Sequence, residues 1–354
     1  MTAIQDGDIV ELKHPEGHHS IIGINNTPAP TRRVNVSEIL AYQNCPSYWA
    51  SAYHYKRSLR GTKRTALDIG TAFHKSWEQA MRHYKQQAPH KPGLADVDQW
   101  VNSLQLTYTM ELEQRGIPVL TKDLTTLKGL GTWAAWWWGQ DANPPFDEVV
   151  EVEWTGERPL GTIEGVDVVL FGRLDAVVRR NDDLRPLKHW QVKTSGPQHL
   201  DLKIAKVKRS LHESAYSYIA EGHWGPELWG GTHHFLVLKV GLRKKDDSGV
   251  LLDRNPAETI VETDLVISQA IRSQRLADIK EVVRNIIIEE RNLGPARGSL
   301  YPLPVEQREH YCGGAYGSSR CQYMATCDGE VPLTDVAYED ANPLERYADA
   351  EDDE

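Results

Sequence analysis

The chain has 354 residues, 40% of them hydrophobic and 25% charged, which is the balance of a globular protein able to bury a sizeable core. It has no run of 18 apolar residues, and Met1 to Val10 carries Asp6 and Asp8 without an apolar stretch; neither a membrane span nor a secretory leader is expected, and cytoplasm is the default. The net charge of −10 argues against a polyanionic partner only until it is divided: Asp328 to Glu354 holds eleven acidic residues and one basic, so the body of the chain is close to neutral.

Residues 1–34 are polar, with Pro28, Pro30 and an Asn25-Asn26 pair, and read as an irregular lead-in. Ser37 is a fair N-cap for a helix that carries Ile39, Leu40 and Tyr42. A second helix runs from Ala66 to Lys85, with Phe73, Trp77, Met81 and Tyr84 at four- and three-residue steps. Residues 95–140 continue helical, and Trp133, Trp136, Trp137 and Trp138 are assigned to a packed core.

The period then changes. Glu148 to Trp154 alternates, with Val150, Val152 and Trp154 on one side and Glu151 and Glu153 on the other. Val166 to Arg179 is a β-branched run, Asn181-Asp182-Asp183 marks a turn, and Leu187 to Thr194 is a third strand. Leu200 to Glu221 returns to helix, His233 to Val240 is another strand, and Glu258 to Leu293 is helical again. The order is helix, three-strand meander, helix, strand, an α/β pattern with helical insertions at about 85–145 and 258–300. One domain over 35–330 and a disordered acidic tail over 331–354 complete the reading.

Metal-assisted cleavage of a phosphodiester needs oxygen or imidazole ligands on neighbouring elements and a cation near the phosphate. His74 lies on the second helix, Asp175 follows Gly172 on the middle strand, and Gln191 and Lys193 share one face of the next strand because they are two apart. A hairpin across the Asn181 turn brings Asp175 beside Gln191 and Lys193.

Gly70-x-x-x-His74, Gly172-x-x-Asp175, Gln191-x-Lys193 and His212-x-x-x-Tyr216 together resemble the motif series of RecB-like PD-(D/E)XK nucleases, a group that includes CRISPR-associated adaptation nucleases, the exonuclease V type and AddB-type subunits. The resemblance implies a restriction-endonuclease-like core. It makes His74, Asp175 and Gln191 ligands for Mg²⁺ or Mn²⁺, and Lys193, with Asp175 and Gln191, the catalytic set. His212 and Tyr216, with Lys203 and Lys206 just ahead, are assigned to DNA. The implied reaction is hydrolysis of DNA, single-stranded or at ends, by an exonuclease serving recombination, repair or viral genome processing, with a helicase or recombination protein as partner and no membrane. Where the family has an acid, Gln191 brings no negative charge; Glu151 or Glu153 could compensate, and the alternative is a nuclease-inactive DNA-end binder or scaffold subunit.

Four cysteines remain: Cys45, and Cys312, Cys321 and Cys327 near the end. Four thiolates suit a 4Fe-4S cluster or a zinc site, and buried thiols are the third option. The resemblance favours an iron–sulfur clasp, in which one cysteine precedes the core and three follow it, tying the chain ends together; the Cys312-x8-Cys321 gap keeps Zn²⁺ open.

Overall fold

The computed structural model describes residues 9–13, 19–23, 30–59, 65–87, 94–114, 116–138, 146–180, 186–195, 204–205, 211–238, 243–245, 251–253, 255, 258–266, 268–293, 323, 327 and 338–340. A hairpin of β1 (Ile9–Lys13) and β2 (His19–Gly23) precedes β3 (Thr31–Asn35). Helix α1 (Val36–Asn44) leads into the short α2 (Pro46–Trp49), a π-helical turn at residues 50–54 and β4 (Arg57–Leu59). Three long helices follow: α3 (Thr65–Gln87), α4 (Leu94–Gln114) and α5 (Thr121–Trp138). The meander is β5 (Glu148–Ile163), β6 (Val166–Arg179) and β7 (Leu187–Ser195). Then come α6 (Leu211–Trp224), β8 (Leu228–Leu238), the small pair β9 (Arg243–Lys245) and β10 (Leu251–Asp253), β11 (Ile260–Val266), α7 (Gln269–Leu293) and β12 (Tyr338–Asp340).

The central sheet is mixed and six-stranded, ordered β11-β8-β7-β6-β3, with β5 also on β6. The helix–meander–helix–strand order read from the sequence is present, but β5 runs on to Ile163 and β8 begins at Leu228, not His233, and three further readings change. The lead-in is not wholly irregular, because β3 pairs in parallel with the first half of β6 from Thr31↔Asp167 to Asn35↔Phe171. The cap of α1 is Asn35, not Ser37: the Asn35 Oδ1 accepts the Ser37 amide at 2.8 Å and Glu38 completes the capping box. The segment from 258 does not begin as helix. Ile260, Val261, Thr263 and Val266 favour strand, and ladder pairing with β8 holds them in β11, so the helix starts only at Gln269. The Asn181 turn, residues 206–210 and the acidic tail beyond 340 lie outside the described residues.

Two hydrophobic layers sandwich the sheet. On one face, Phe73, Trp77 and Met81 of α3 and Leu104, Tyr108, Leu127 and Trp133 of α4 and α5 pack on Val152, Val178, Trp190 and Val192. The other face carries α1, α6 and α7 through Ile39, Ile219, Val283 and Ile287. The aromatic and aliphatic steps of α3 recur on one side of that helix and so bury it against the sheet. Full burial of a side chain such as Phe73 stabilises by about 1.5–3 kcal/mol. Of the four tryptophans assigned to the core, Trp133 is buried, and the side chains of Trp136, Trp137 and Trp138 lie outside the description.

Two features of the sheet position the site. First, β6 and β7 share only four ladder pairs, Ala176↔Trp190 to Arg179↔Leu187; beyond Trp190, β7 stays paired with β8 through Ser195↔Leu238. The sheet forks there, with Asp175 on one prong and Gln191 and Lys193 on the other. Second, the side-chain alternation of β5 and β6 inverts at the same level. Val168, Leu170 and Leu174 pack in one layer, yet Ala176 and Val178 pack in the other; across the ladder, Trp154 and Val152 divide the same way. A bulge between Val149 and Glu151 also separates Val150 from Val152, so the two do not share a face as simple alternation expects.

Candidate metal centre

Gly70 seats α3 on the active strand, since a Cβ there would stand 3.3 Å from Thr194 Oγ1. One turn later His74 reaches the fork, with Nδ1 3.9 Å from Asp175 Oδ2. Asp175 Oδ2 accepts the Val192 amide at 2.7 Å and the Lys193 ammonium at 3.3 Å. The carboxylate thus takes the place of a ladder partner where β6 and β7 part. Lys193 Nζ also donates to Gln191 Oε1 at 2.8 Å, and Gln191 is buried. His74, Asp175, Gln191 and Lys193 therefore converge in one place.

Glu153 joins them. It lies between the pairs Val152↔Ala176 and Trp154↔Leu174, opposite Asp175, with φ +51°. That backbone conformation is uncommon for a residue with a side chain and costs of order 1–3 kcal/mol. It occurs where the alternation of β5 inverts. His74, Glu153 and Asp175 each offer one ligand atom, all within 4.8 Å of one another. Arg173 Nε closes on Glu153 Oε2 at 2.7 Å. Glu151, the other candidate for compensating Gln191, is half exposed and pairs with Lys85 at 3.1 Å.

The two carboxylates are driven apart electrostatically. Burial first, then the nearby Asp175, push Glu153 from an ordinary 4.5 to about 8; Arg173 and Lys193 only partly oppose them. Asp175 moves the other way. Burial works to raise it, but Lys193, His74 and the Val192 amide together hold it below the ordinary carboxylate range. Without a further cation, Glu153 keeps a proton at neutral pH. Two carboxylates and an imidazole suit a divalent cation, because its charge relieves the repulsion that protonates Glu153. The donors present fit such an ion.

Sequence reasoning named Glu153 without placing it. Alternation put Glu151 and Glu153 on one side, and nothing in the residue pattern announces the positive φ that separates them. Arg173 was missed, although it stands two residues from Asp175 on the same strand. Tyr216 is buried: a Cβ on Gly172 would come within 2.6 Å of its ring, so the Gly172-x-x-Asp175 glycine makes room for α6. His212 lies edge-on to Tyr216 at 4.3 Å, with Nδ1 3.2 Å from Glu213 Oε1. Lys203 and Lys206 lie outside the described residues, as do Cys312 and Cys321.

Cys45 and Cys327 border one aromatic patch. The Cys45 Sγ accepts the Tyr48 amide at 3.3 Å, Tyr48 meets Tyr323 edge-on at 5.4 Å, and Cys327 donates its amide to the Tyr323 carbonyl at 2.9 Å. Tyr42 meets Trp49 edge-on at 5.2 Å, so both tyrosines near Cys45 are engaged in packing. Tyr323 also donates to the Arg57 carbonyl, and β12 pairs with β4.

Residues 33–328 match the family model of the PD-(D/E)XK nuclease superfamily, and the chain belongs to that superfamily. Its mixed sheet with flanking helices is the restriction-endonuclease-like α/β core, with a His/Glu/Asp cluster suited to a divalent metal. Ten chains of solved structures are similar. One, titled "Crystal structure of SSO0001", is 15% identical, with 62% of this chain and 84% of that chain covered and a TM-score of 0.28. No curated protein matches the chain. No helix among the described residues is long and apolar enough to cross a membrane.

Proposed function

We propose that the protein is a divalent-metal-dependent deoxyribonuclease whose metal is held by His74, Glu153, Asp175 and Gln191. The observation that carries this reading is the placement of Glu153 against Asp175, within reach of His74. It restores the second negative charge that Gln191 does not bring, and so answers the best argument for an inactive DNA-end binder.

A bound Mg²⁺ or Mn²⁺ supplies Lewis-acid stabilisation of the charge that builds on a phosphodiester oxygen during hydrolysis. Lys193, held at 3.3 Å by Asp175 and at 2.8 Å by Gln191, presents an ammonium at the mouth of the fork, where it can neutralise a phosphate or orient a water. Arg173, one-third exposed beside Glu153, adds a second cation on the same rim. His212 with Lys203 and Lys206 is assigned to the DNA backbone, a sequence-independent attraction that salt weakens. Exonuclease action on single strands or ends, in recombination, repair or viral genome processing, belongs to this proposal.

Asp175→Ala and Lys193→Ala should each lower Mn²⁺-dependent cleavage of single-stranded DNA by about a hundredfold or more, with circular dichroism unchanged. Undiminished cleavage in both variants would sink the assignment. If the wild type neither binds Mn²⁺ nor cuts while Gln191→Glu does both, the DNA-end binder is the better description.

The same proposal includes a 4Fe-4S cluster on Cys45, Cys312, Cys321 and Cys327, with Zn²⁺ as the competing occupant. It is supported by Cys45 and Cys327 bordering one patch from opposite ends of the chain. Anaerobically purified protein should be brown and contain iron and acid-labile sulfide; colourless protein with stoichiometric zinc favours the alternative.

A further inference from the structure

The Gln191 carboxamide lies between two nitrogens. Its Oε1 is 2.8 Å from Lys193 Nζ, and its Nε2 is 2.9 Å from His189 Nε2. An ammonium only donates, so the amide atom facing Lys193 is the oxygen. The other end is then the NH₂ group, which also only donates. His189 Nε2 must accept. The contact therefore uses the tautomer whose Nε2 lone pair faces the amide.

The ring is well placed to impose this polarity. His189 is fully buried and stands edge-on to Tyr216, with centroids 5.6 Å apart at 85°. Tyr216 is fixed in turn beneath Gly172. His189, Gln191 and Lys193 alternate along one face of β7, so acceptor, amide and ammonium form a single row leading to Asp175.

We infer that His189 is a positioning residue that locks the Gln191 carboxamide with its oxygen toward Lys193 and the His74–Glu153–Asp175 cluster. This rests on the metal-centre reading above and extends it. With the lock, a neutral amide presents an oxygen where an acid is usual. A glutamate would present an oxygen to His189 as well, and the ring would then have to donate from Nε2 instead of accepting there. The accepting polarity is thus matched to the amide.

The first test reads Mn²⁺ affinity by titration calorimetry. His189→Phe keeps a ring against Tyr216 and removes the acceptor. It should weaken Mn²⁺ binding about tenfold in the Gln191 background, the worth of one buried hydrogen bond. In the Gln191→Glu variant the ring must donate instead, so His189 Nε2 should carry the hydrogen in nitrogen-15 NMR. No loss of Mn²⁺ affinity in His189→Phe, or a bare Nε2 in the Gln191→Glu variant, overturns the inference.

Nitrogen-15 NMR of the metal-free wild type gives an independent reading that needs no variant. His189 Nε2 should appear unprotonated, and a proton on Nε2 overturns the lock even if His189→Phe fails to fold. A wild type that binds no Mn²⁺ removes the metal-centre reading instead, while the NMR result still decides the polarity of the His189–Gln191 contact.

Discussion

Among the described residues, two of the clusters of buried charge are built to opposite ends. In the first, Arg32 of β3 reaches Glu38 of α1 and Glu290 of α7, and Glu38 also accepts the Trp49 indole N–H at 3.1 Å. Burial works against the Arg32 charge, yet the two glutamates more than offset it and raise its pKa further. In the second, Glu153 and Asp175 face each other across a ladder, and Glu153 is pushed toward its neutral form. The first cluster satisfies its charges and ties β3 to the helices. The second is electrostatically frustrated. The charges of the first cluster serve the structure; the opposed pair in the second marks a candidate site for a cation.

That contrast can be broken first at Glu38. Glu38→Ala leaves the Arg32 guanidinium and the Trp49 indole short of an acceptor and should destabilise by about 3–5 kcal/mol in urea unfolding. Asp175→Asn should cost far less, because it relieves the repulsion on Glu153 while the amide oxygen can still accept from Val192. A similar loss in both variants would erase the distinction.

A smaller effect, with a definite sign, concerns pH. A carboxyl with a raised folded-state pKa holds its proton in the native protein after the unfolded chain has lost it. Stability of the metal-free protein therefore falls as pH rises from about 4.5 to about 8 and levels off above that. Mn²⁺ must displace the same proton, so its affinity climbs over this range and flattens beyond it. Glu153→Gln should remove the stability slope and flatten the affinity slope to what His74 alone requires, since an imidazole must be neutral to bind the ion. A stability slope that persists in that variant would assign it to another group.

The smallest effect belongs to Lys85→Ala, which breaks the exposed pair with Glu151. Stability should change by less than about 1 kcal/mol, with cleavage unaltered. A large loss of cleavage would restore Glu151 to the site.

The motif spacings made His74, Asp175, Gln191 and Lys193 legible because helical and strand periodicity fixes which residues share a face. Glu153 was half legible: its identity stood out, but its direction depends on a single backbone angle that residue type does not encode. β11 was misread because Ile260 to Val266 continues without a break into the pattern of α7, and only pairing with β8 decides it. β3 was missed for the same reason, since five residues behind two prolines acquire strand character from the edge of β6 they meet. Tertiary contact, absent from any local window, settled each of these.

The forked sheet has a mechanical side. One half-sheet hangs from β6 and the other from β7, and the short ladder they share ends at Ala176 and Trp190, beside the pocket. The spacing between Asp175 and Lys193 is thus a gauge of how the two halves are spread. Anything gripping both prongs staples a seam that the backbone leaves open, so the protein should stiffen most along that seam when it is loaded.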